Sequence, residues 1–273
     1  MTQVEKAVIF QTLHRGPQVF VIGNPWDAGS ARILTSLGYQ ALTTTSAGFA
    51  FTLGRKDRTV SRAEALANAR SVVEATNLPV AADLENGYGH RPEDAAETIR
   101  LAAEAGLVGG SIEDATGDES NPIYDFNHAV ERIAAASQVA RGLSFPFMLV
   151  ARTENYLHGR HDLDDTIRRL QAFEKAGAEV LYAPGLTRPE DIRTVCVSVT
   201  KPVNVLVGLK GTPQLSVRQL GELGVRRISV GSGFSRAALT AFYHAAREII
   251  EDGTFTFADE TLYMSDLTAM FSK

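Results

Sequence analysis

Eight short apolar runs, each followed by a stretch of helical character, limit what this chain can fold into more than any other property. They are Val19–Gly23, Ala41–Ala47, Pro79–Leu84, Gly109–Asp114, Phe147–Glu154, Glu179–Pro184, Pro202–Gly208 and Arg227–Ser232. Several are continuous rather than alternating, as strands buried on both faces should be. The intervening segments carry helix punctuation. Ser61-Arg-Ala-Glu64, Thr187-Arg-Pro-Glu190 and Ser216-Val-Arg-Gln219 read as capping boxes. Gly38, Gly106, Gly142, Gly177 and Gly224 stand where helices should stop. Eight strand–helix units in 273 residues predict an α/β fold of the (β/α)8 TIM barrel type. A doubly wound open sheet is the rival. The barrel is favoured because polar residues follow so many different strands.

Those polar residues cluster at the C-terminal ends of the runs. Asp83 and Glu85 end Pro79-Val-Ala-Ala-Asp-Leu-Glu85, and Glu113 and Asp114 end Gly110-Ser-Ile-Glu-Asp114. Arg152 ends Phe147-Met-Leu-Val-Ala-Arg152. In a parallel barrel that end carries the active site. Asp83, Glu85 and Glu113 are the candidate metal residues, because a hard ion such as Mg²⁺ takes oxygen ligands and keeps waters. Solvated acids near helix N-termini are the plainer alternative. Arg152 has a planar fork suited to a carboxylate, or to an ion pair with Glu154 or Glu113. Ser46, Ala47 and Gly48 end the second run with small residues. Their N–H groups, with the Ser46 hydroxyl, could approach developing negative charge. Asn204 in the seventh run is a donor to a ligand or a structural bridge. Gly231-Ser-Gly-Phe-Ser could cradle a phosphate but lacks a full glycine pattern, so a tight turn is expected. Cys196 reads as a small core residue, and His90, His158 and His161 as loop imidazoles.

The net charge of -5, with no basic cluster, points away from nucleic acid. No apolar run approaches membrane-spanning length, and Met1-Thr-Gln-Val-Glu-Lys6 lacks a signal-peptide pattern. The single cysteine excludes an intramolecular disulfide and fits a cytoplasmic location. No linker of biased composition divides the chain, so residues 1–273 are read as one domain. The tail 253–273 carries Phe255, Phe257, Leu262, Tyr263, Met264, Leu267, Met270 and Phe271. So much apolar surface needs a partner, and a homodimer or homotetramer is expected.

The motifs Asn24-Pro-Trp-Asp-Ala-Gly-Ser-Ala-Arg32, Thr43-Thr-Thr-Ser-Ala-Gly48, Leu53-Gly-Arg-Lys-Asp57, Ala82-Asp-Leu-Glu-Asn-Gly-Tyr-Gly89, Ser111-Ile-Glu-Asp114 and Ala151-Arg-Thr-Glu154 occur in one order along most of the chain. Together the pattern resembles the isocitrate lyase/phosphoenolpyruvate mutase superfamily. The resemblance implies a barrel dependent on Mg²⁺, for which Mn²⁺ could stand in, acting on small 2-oxo acids. It also implies a C-terminal helix swapped between subunits. Asp83 would be the direct metal ligand, and Glu85 stands where a second Asp is usual. Arg152 would bind substrate. Asp57 would face it from a mobile gate that excludes water from an enolate.

The departures are informative. Where the family's lyases carry a Lys-Lys/Arg-Cys-Gly-His motif, this chain reads Ala115-Thr-Gly-Asp-Glu-Ser-Asn-Pro122. The acid-base Cys is missing, as is the mutase's basic loop. Thr44 replaces a common aromatic, and Leu181-Tyr-Ala-Pro184 lacks a Glu. The expectation is a carbon–carbon lyase or decarboxylase of an oxaloacetate-like acid, with Asp57, Arg152 and Ser46 catalytic. Ser46, Ala47, Gly48, Asp83, Arg152 and Asn204 would contact substrate. Phosphonopyruvate mutase or hydrolase chemistry, or a non-catalytic 2-oxo acid binding protein, are the alternatives.

Overall fold

The computed structural model describes residues 1–271. All eight expected strands form: β1 Phe20–Ile22, β2 Leu42–Thr43, β3 Val80–Asp83, β4 Gly109–Glu113, β5 Met148–Arg152, β6 Val180–Tyr182, β7 Val203–Leu206 and β8 Arg227–Ser229. They pair in parallel in the order β1-β8-β7-β6-β5-β4-β3-β2. A single parallel bridge, Gly23 to Leu42, joins the two ends, with Thr43 N–H donating to the Gly23 carbonyl at 2.8 Å. The expected TIM barrel is therefore the observed fold. The helices are α1 Gln3–Arg15, α2 Ala28–Ser36, α3 Ser46–Thr52, α4 Arg62–Ala75, α5 Pro92–Glu104, α6 Phe126–Gly142, α7 Leu163–Ala176, α8 Pro189–Ser198, α9 Val217–Glu222, α10 Gly233–Glu251 and α11 Met264–Phe271.

Strand parity divides the core. Alternate residues Phe20, Ile22, Ala81, Met148, Val150, Val180 and Tyr182 pack inward with Ala7 and Phe10 of α1. The residues between them, among them Val80, Ala82, Leu149, Ala151, Leu181, Val203 and Ile228, pack outward against helices. A β-strand places successive side chains on opposite faces, so inward parity also takes in Asp83, Ser111, Glu113, Arg152, Asn204, Arg227 and Ser229. The barrel interior thus changes from apolar at the α1 end to polar at the opposite mouth. Gly109 permits α1 to plug its end: an added Cβ would lie 2.9 Å from Phe10 and 2.8 Å from the Met148 carbonyl.

Capping at Ser61–Glu64 and Ser216–Gln219 is as expected. At Thr187–Glu190 it is not. Arg188 is the N-cap, makes no side-chain cap bond, and α8 starts on Pro189, whose missing N–H suits a first helical position. Gly38, Gly106, Gly177 and Gly224 take positive φ after their helices, while Gly142 is the last residue of α6 itself. The second run is shorter than expected, because Thr45 accepts from Gly48 N–H and starts α3. Ser46, Ala47 and Gly48 therefore form a helical first turn, not a strand end. No helix among the described residues is long and apolar enough to cross a membrane.

Candidate active site

Asp83, Glu113 and Arg152 reach the barrel mouth on inward parity from β3, β4 and β5. Arg152 Nη1 lies 3.4 Å from Glu113 Oε2 and 4.0 Å from Asp83 Oδ1, and its Nε donates to Glu154. Of the two readings of Arg152 from the sequence, the ion pair is what the structure shows, with Glu154, Glu113 and Asp83 all facing the guanidinium. Its guanidinium also sits 5.1 Å above the Tyr182 ring, which supports a cation through the ring quadrupole.

Asp83 is held from several sides. The Ser46 hydroxyl donates to Oδ2 at 2.9 Å, and Glu85 N–H donates to Oδ1 at 3.3 Å. The Asp83 N–H donates in turn to Thr44 Oγ1 at 3.2 Å. Glu85 adopts φ +50°, a left-handed conformation uncommon for a side chain of this size. Its Oε1 is buried with no hydrogen-bond partner among the described residues. Burial pushes the Glu85 carboxyl up to about 8, with Asp83 and then Asp57 adding to it. Glu113 is also raised well above the carboxylate range by burial, with Arg152 opposing this. Crowded, desolvated acids of this kind are characteristic of functional sites.

The loop between α3 and α4 closes over this cluster. Asp57 keeps solvent contact, yet the atoms packed around it raise its carboxyl. Asp83 adds to the rise, and the Ser46 hydroxyl and Arg58 N–H oppose it. Arg58 is the residue the sequence did not single out. From a φ of +64° it extends Nη2 to Glu113 Oε1 at 2.9 Å and Glu154 Oε2 at 3.3 Å. The signal was available, since Arg58 follows Asp57 directly.

The other candidates divide. Gly48 N–H is used by Thr45 Oγ1 at 3.3 Å, and an added Cβ there would lie 2.5 Å from Thr45 Cγ2. Its small size serves packing. Asn204 lies inside the barrel, accepting from Arg227 Nε at 2.8 Å and donating to Ser229 Oγ at 2.9 Å. Asp114 points outward, accepting from Glu154 N–H, the Thr153 hydroxyl and Arg169. The turn at Gly231 is no open cradle, because Val230 and Gly231 N–H both donate to Asn24 Oδ1. Cys196 is partly buried, and burial pushes its thiol up to about 12, which keeps it protonated at neutral pH.

Two separate cavities have acids in their walls. A large one of about 800 Å³ is lined by Arg58, Glu85, Tyr88, Glu113 and Thr116 among others. A small one of about 40 Å³ lies toward the barrel axis, with Asp83, Arg152, Tyr182 and Arg227 in its wall.

Fold and site define a parallel-barrel protein whose C-terminal mouth gathers carboxylates around an arginine. The chain belongs to the phosphoenolpyruvate phosphomutase family, which matches it over residues 10–250, and hence to the superfamily its motifs resemble. A solved structure from Burkholderia cenocepacia J2315, described as a lyase/mutase, is 54% identical with a TM-score of 0.97, covering 99% of this chain and 97% of that one. An oxaloacetate decarboxylase of Bradyrhizobium sp. (strain BTAi1 / ATCC BAA-1182) is 26% identical, covering 91% of this chain and 86% of its own. The 2-methylisocitrate lyase of Escherichia coli (strain K12) is 27% identical over 84% of this chain and 79% of its own.

Proposed function

We propose that this protein is a Mg²⁺-dependent carbon–carbon lyase that converts a small oxaloacetate-like 2-oxo acid through an enolate, by decarboxylation or C–C cleavage. The observation that carries this is the acid cluster Asp83, Glu85 and Glu113 set against Arg152 at the barrel mouth, with Glu85 Oε1 buried and unpartnered. The donor set is all oxygen, which suits a hard ion. Among the described residues no three acids, His or Cys converge tightly enough to ligate one ion together. Asp83 would hold the ion, with Glu85 and Glu113 beside it. When bound, Mg²⁺ supplies Lewis acidity toward charge developing on the 2-oxo oxygen.

The chain's own residues do the rest. Arg152 receives the substrate carboxylate with its fork, while Glu154 and Glu113 fix its plane. Ser46 orients Asp83 through its hydroxyl. The Ala47 N–H offers a donor to enolate charge. The Asp57–Arg58 arm shields the enolate from water. Tyr88 lines the larger cavity with its hydroxyl buried and unpartnered. Burial first, and then Glu85, holds that hydroxyl well above its usual range, so it stays protonated; Tyr88 or water returns the proton to the product.

The hairpin after β4 supports decarboxylation over isocitrate cleavage. Thr116 N–H donates to the Pro122 carbonyl and the Thr116 hydroxyl to the Asn121 carbonyl. The segment contains no thiol, and a hydroxyl already donating to a carbonyl is a weak general acid. Phosphonopyruvate chemistry is the second reading, favoured by the family match and by Arg58, a cation the loop after Asp114 does not supply.

The test is turnover of oxaloacetate, phosphonopyruvate, methylisocitrate and malate-type acids, with and without Mg²⁺. The expected result is Mg²⁺-dependent pyruvate release from oxaloacetate, at higher kcat/KM than for either isocitrate. It should be abolished with Asp83→Ala, alongside loss of Mg²⁺ binding by calorimetry. Efficient isocitrate cleavage, or full activity with chelator present, overturns the reading. Binding without turnover of any acid would leave a binding protein.

A further inference from the structure

Arg227 is a buried cation without a counterion. It opens β8, and its register against Asn204 and Phe20 sets it on the inward face. It is 4% exposed. Nε donates to Asn204 Oδ1, but Nη1 is buried with no hydrogen-bond partner, and Arg227 forms no ion pair among the described residues. By contrast, the guanidinium groups of Arg58 and Arg152 at the barrel mouth are matched by Glu113 and Glu154.

The groups around Arg227 do not supply negative charge. Burial pushes the Tyr182 hydroxyl up to about 12, so it stays neutral. His14, on the α1 side, is pushed down to about 3 by burial and then by Arg227 itself, so it is neutral too. Burial lowers the Arg227 guanidinium only to about 10, which leaves it charged at neutral pH. Asp83 shares the small cavity but belongs to the far end of β3, where Ser46 and Arg152 already engage it. An uncompensated buried charge is costly, and a water would satisfy the Nη1 donor without balancing that charge.

The small cavity supplies the space. Its roughly 40 Å³ is walled by Arg227, Arg152 and the hydroxyl-bearing Thr43, Ser111 and Ser229. A cavity of that size has room for a few water-sized groups at most, and so for a single small ion or carboxylate head. We infer that Arg227 is the cationic end of a small-anion subsite on the barrel axis, sized for a halide or a carboxylate group. The occupant is a free inorganic anion or the second carboxylate of a dicarboxylic substrate. The subsite does not depend on the proposed reaction, and its test needs no turnover.

The experiment uses bromide as the probe. Crystals of the full chain grown in bromide should give an anomalous peak within hydrogen-bond distance of Arg227 Nη1. In solution, bromide NMR line broadening should saturate and be displaced by formate. Arg227→Gln should weaken bromide binding by about tenfold to a hundredfold, the range for one or two charge-assisted hydrogen bonds. Arg227→Lys should keep part of the affinity, which serves if the Gln variant fails to fold. The source is then separated by competition. Bromide that competes with oxaloacetate but not with pyruvate assigns the subsite to a substrate carboxylate; absence of competition with either assigns it to an inorganic anion. A water in place of bromide at Nη1 overturns the inference, as does bromide affinity unchanged in a folded Arg227→Gln protein.

Discussion

Arg58 stands 2.9 Å from Glu113, so a loop residue from before α4 is tied to the tip of β4, 55 positions later in the chain. The same nitrogen reaches Glu154 beyond β5. One guanidinium thus pins the loop carrying Asp57 across the mouth of the barrel. Both carboxylates it meets are nearly or fully buried, whereas Arg58 itself is about one-third exposed (34%). The bridge therefore has one buried side and one partly exposed side.

Arg58→Met should release that loop. Hydrogen exchange in residues 54–60 is expected to rise, and kcat/KM to fall by about tenfold to a hundredfold, the scale of one or two lost charge-assisted hydrogen bonds. Circular dichroism should be unchanged, because the barrel strands do not depend on the loop. Wild-type exchange rates in the variant would show that Arg58 does not hold the loop.

Arg152→Lys should not restore substrate binding. The guanidinium reaches Glu154 through Nε and Glu113 through Nη1, and this two-sided grip fixes the plane of the fork. A lysine ammonium is a point charge with no such plane. Affinity for a 2-oxo acid should drop by roughly 10²–10³, as expected for loss of a bidentate pair. Full affinity by calorimetry in the Lys variant would sink the assignment.

The barrel was legible in the sequence because its signals are local and repeated. Apolar runs gave all eight strands, and the charged residues at their tips gave Asp83, Glu113 and Arg152. The inward parity of those three is a direct consequence of the strand period. What sequence missed is what arises from contacts across strands. Thr45 caps α3 and turns Ser46–Gly48 from strand into helix, which periodicity alone does not reveal. Arg58 gains meaning only when the loop folds back onto Glu113. Asn204 read as a ligand donor or a structural bridge, and its amide bridges Arg227 and Ser229, whereas Arg227 drew no notice because one arginine in an apolar run carries no motif.

The chain is expected to self-associate. Phe242, Ile250, Tyr263 and Met264 are 70%, 85%, 80% and 76% exposed, on α10, before α11 and at its start. In the single chain α11 rests near α2, with Arg32 Nη1 donating to the Phe271 carbonyl at 2.6 Å, yet these large side chains stay in solvent. Large apolar side chains left exposed in this way are the basis for the expectation. Light scattering should give a dimer or tetramer. Deletion of residues 253–273, of which 272 and 273 lie outside the described residues, should shift the protein toward monomer and lower its melting temperature. A monomeric full-length protein would contradict this.

His14 should set the acid limb of stability. It lies on α1 at 2% exposure, edge-on to Phe10 and Phe20 with ring centroids 4.6 and 5.0 Å away. One ring nitrogen, Nδ1, pairs with the Phe10 carbonyl at 2.8 Å, while Nε2 has no partner. Burial, and then the charge of Arg227, push its pKa from 6.5 to about 3. The folded state therefore holds the ring neutral where the unfolded chain would protonate it. Stability from this group is fully present above pH 6.5 and is lost as pH falls toward 3. Linkage sets the loss between pH 7 and pH 5 at about 2 kcal/mol. His14→Asn keeps an N–H donor for the Phe10 carbonyl and removes the titration. Its unfolding free energy in urea should fall by about 2 kcal/mol less than that of the wild type over the same pH interval. Absolute stability of the variant does not enter this comparison, because the linkage is read from the slope with pH. Parallel slopes for the two proteins would mean that His14 is not the titrating group.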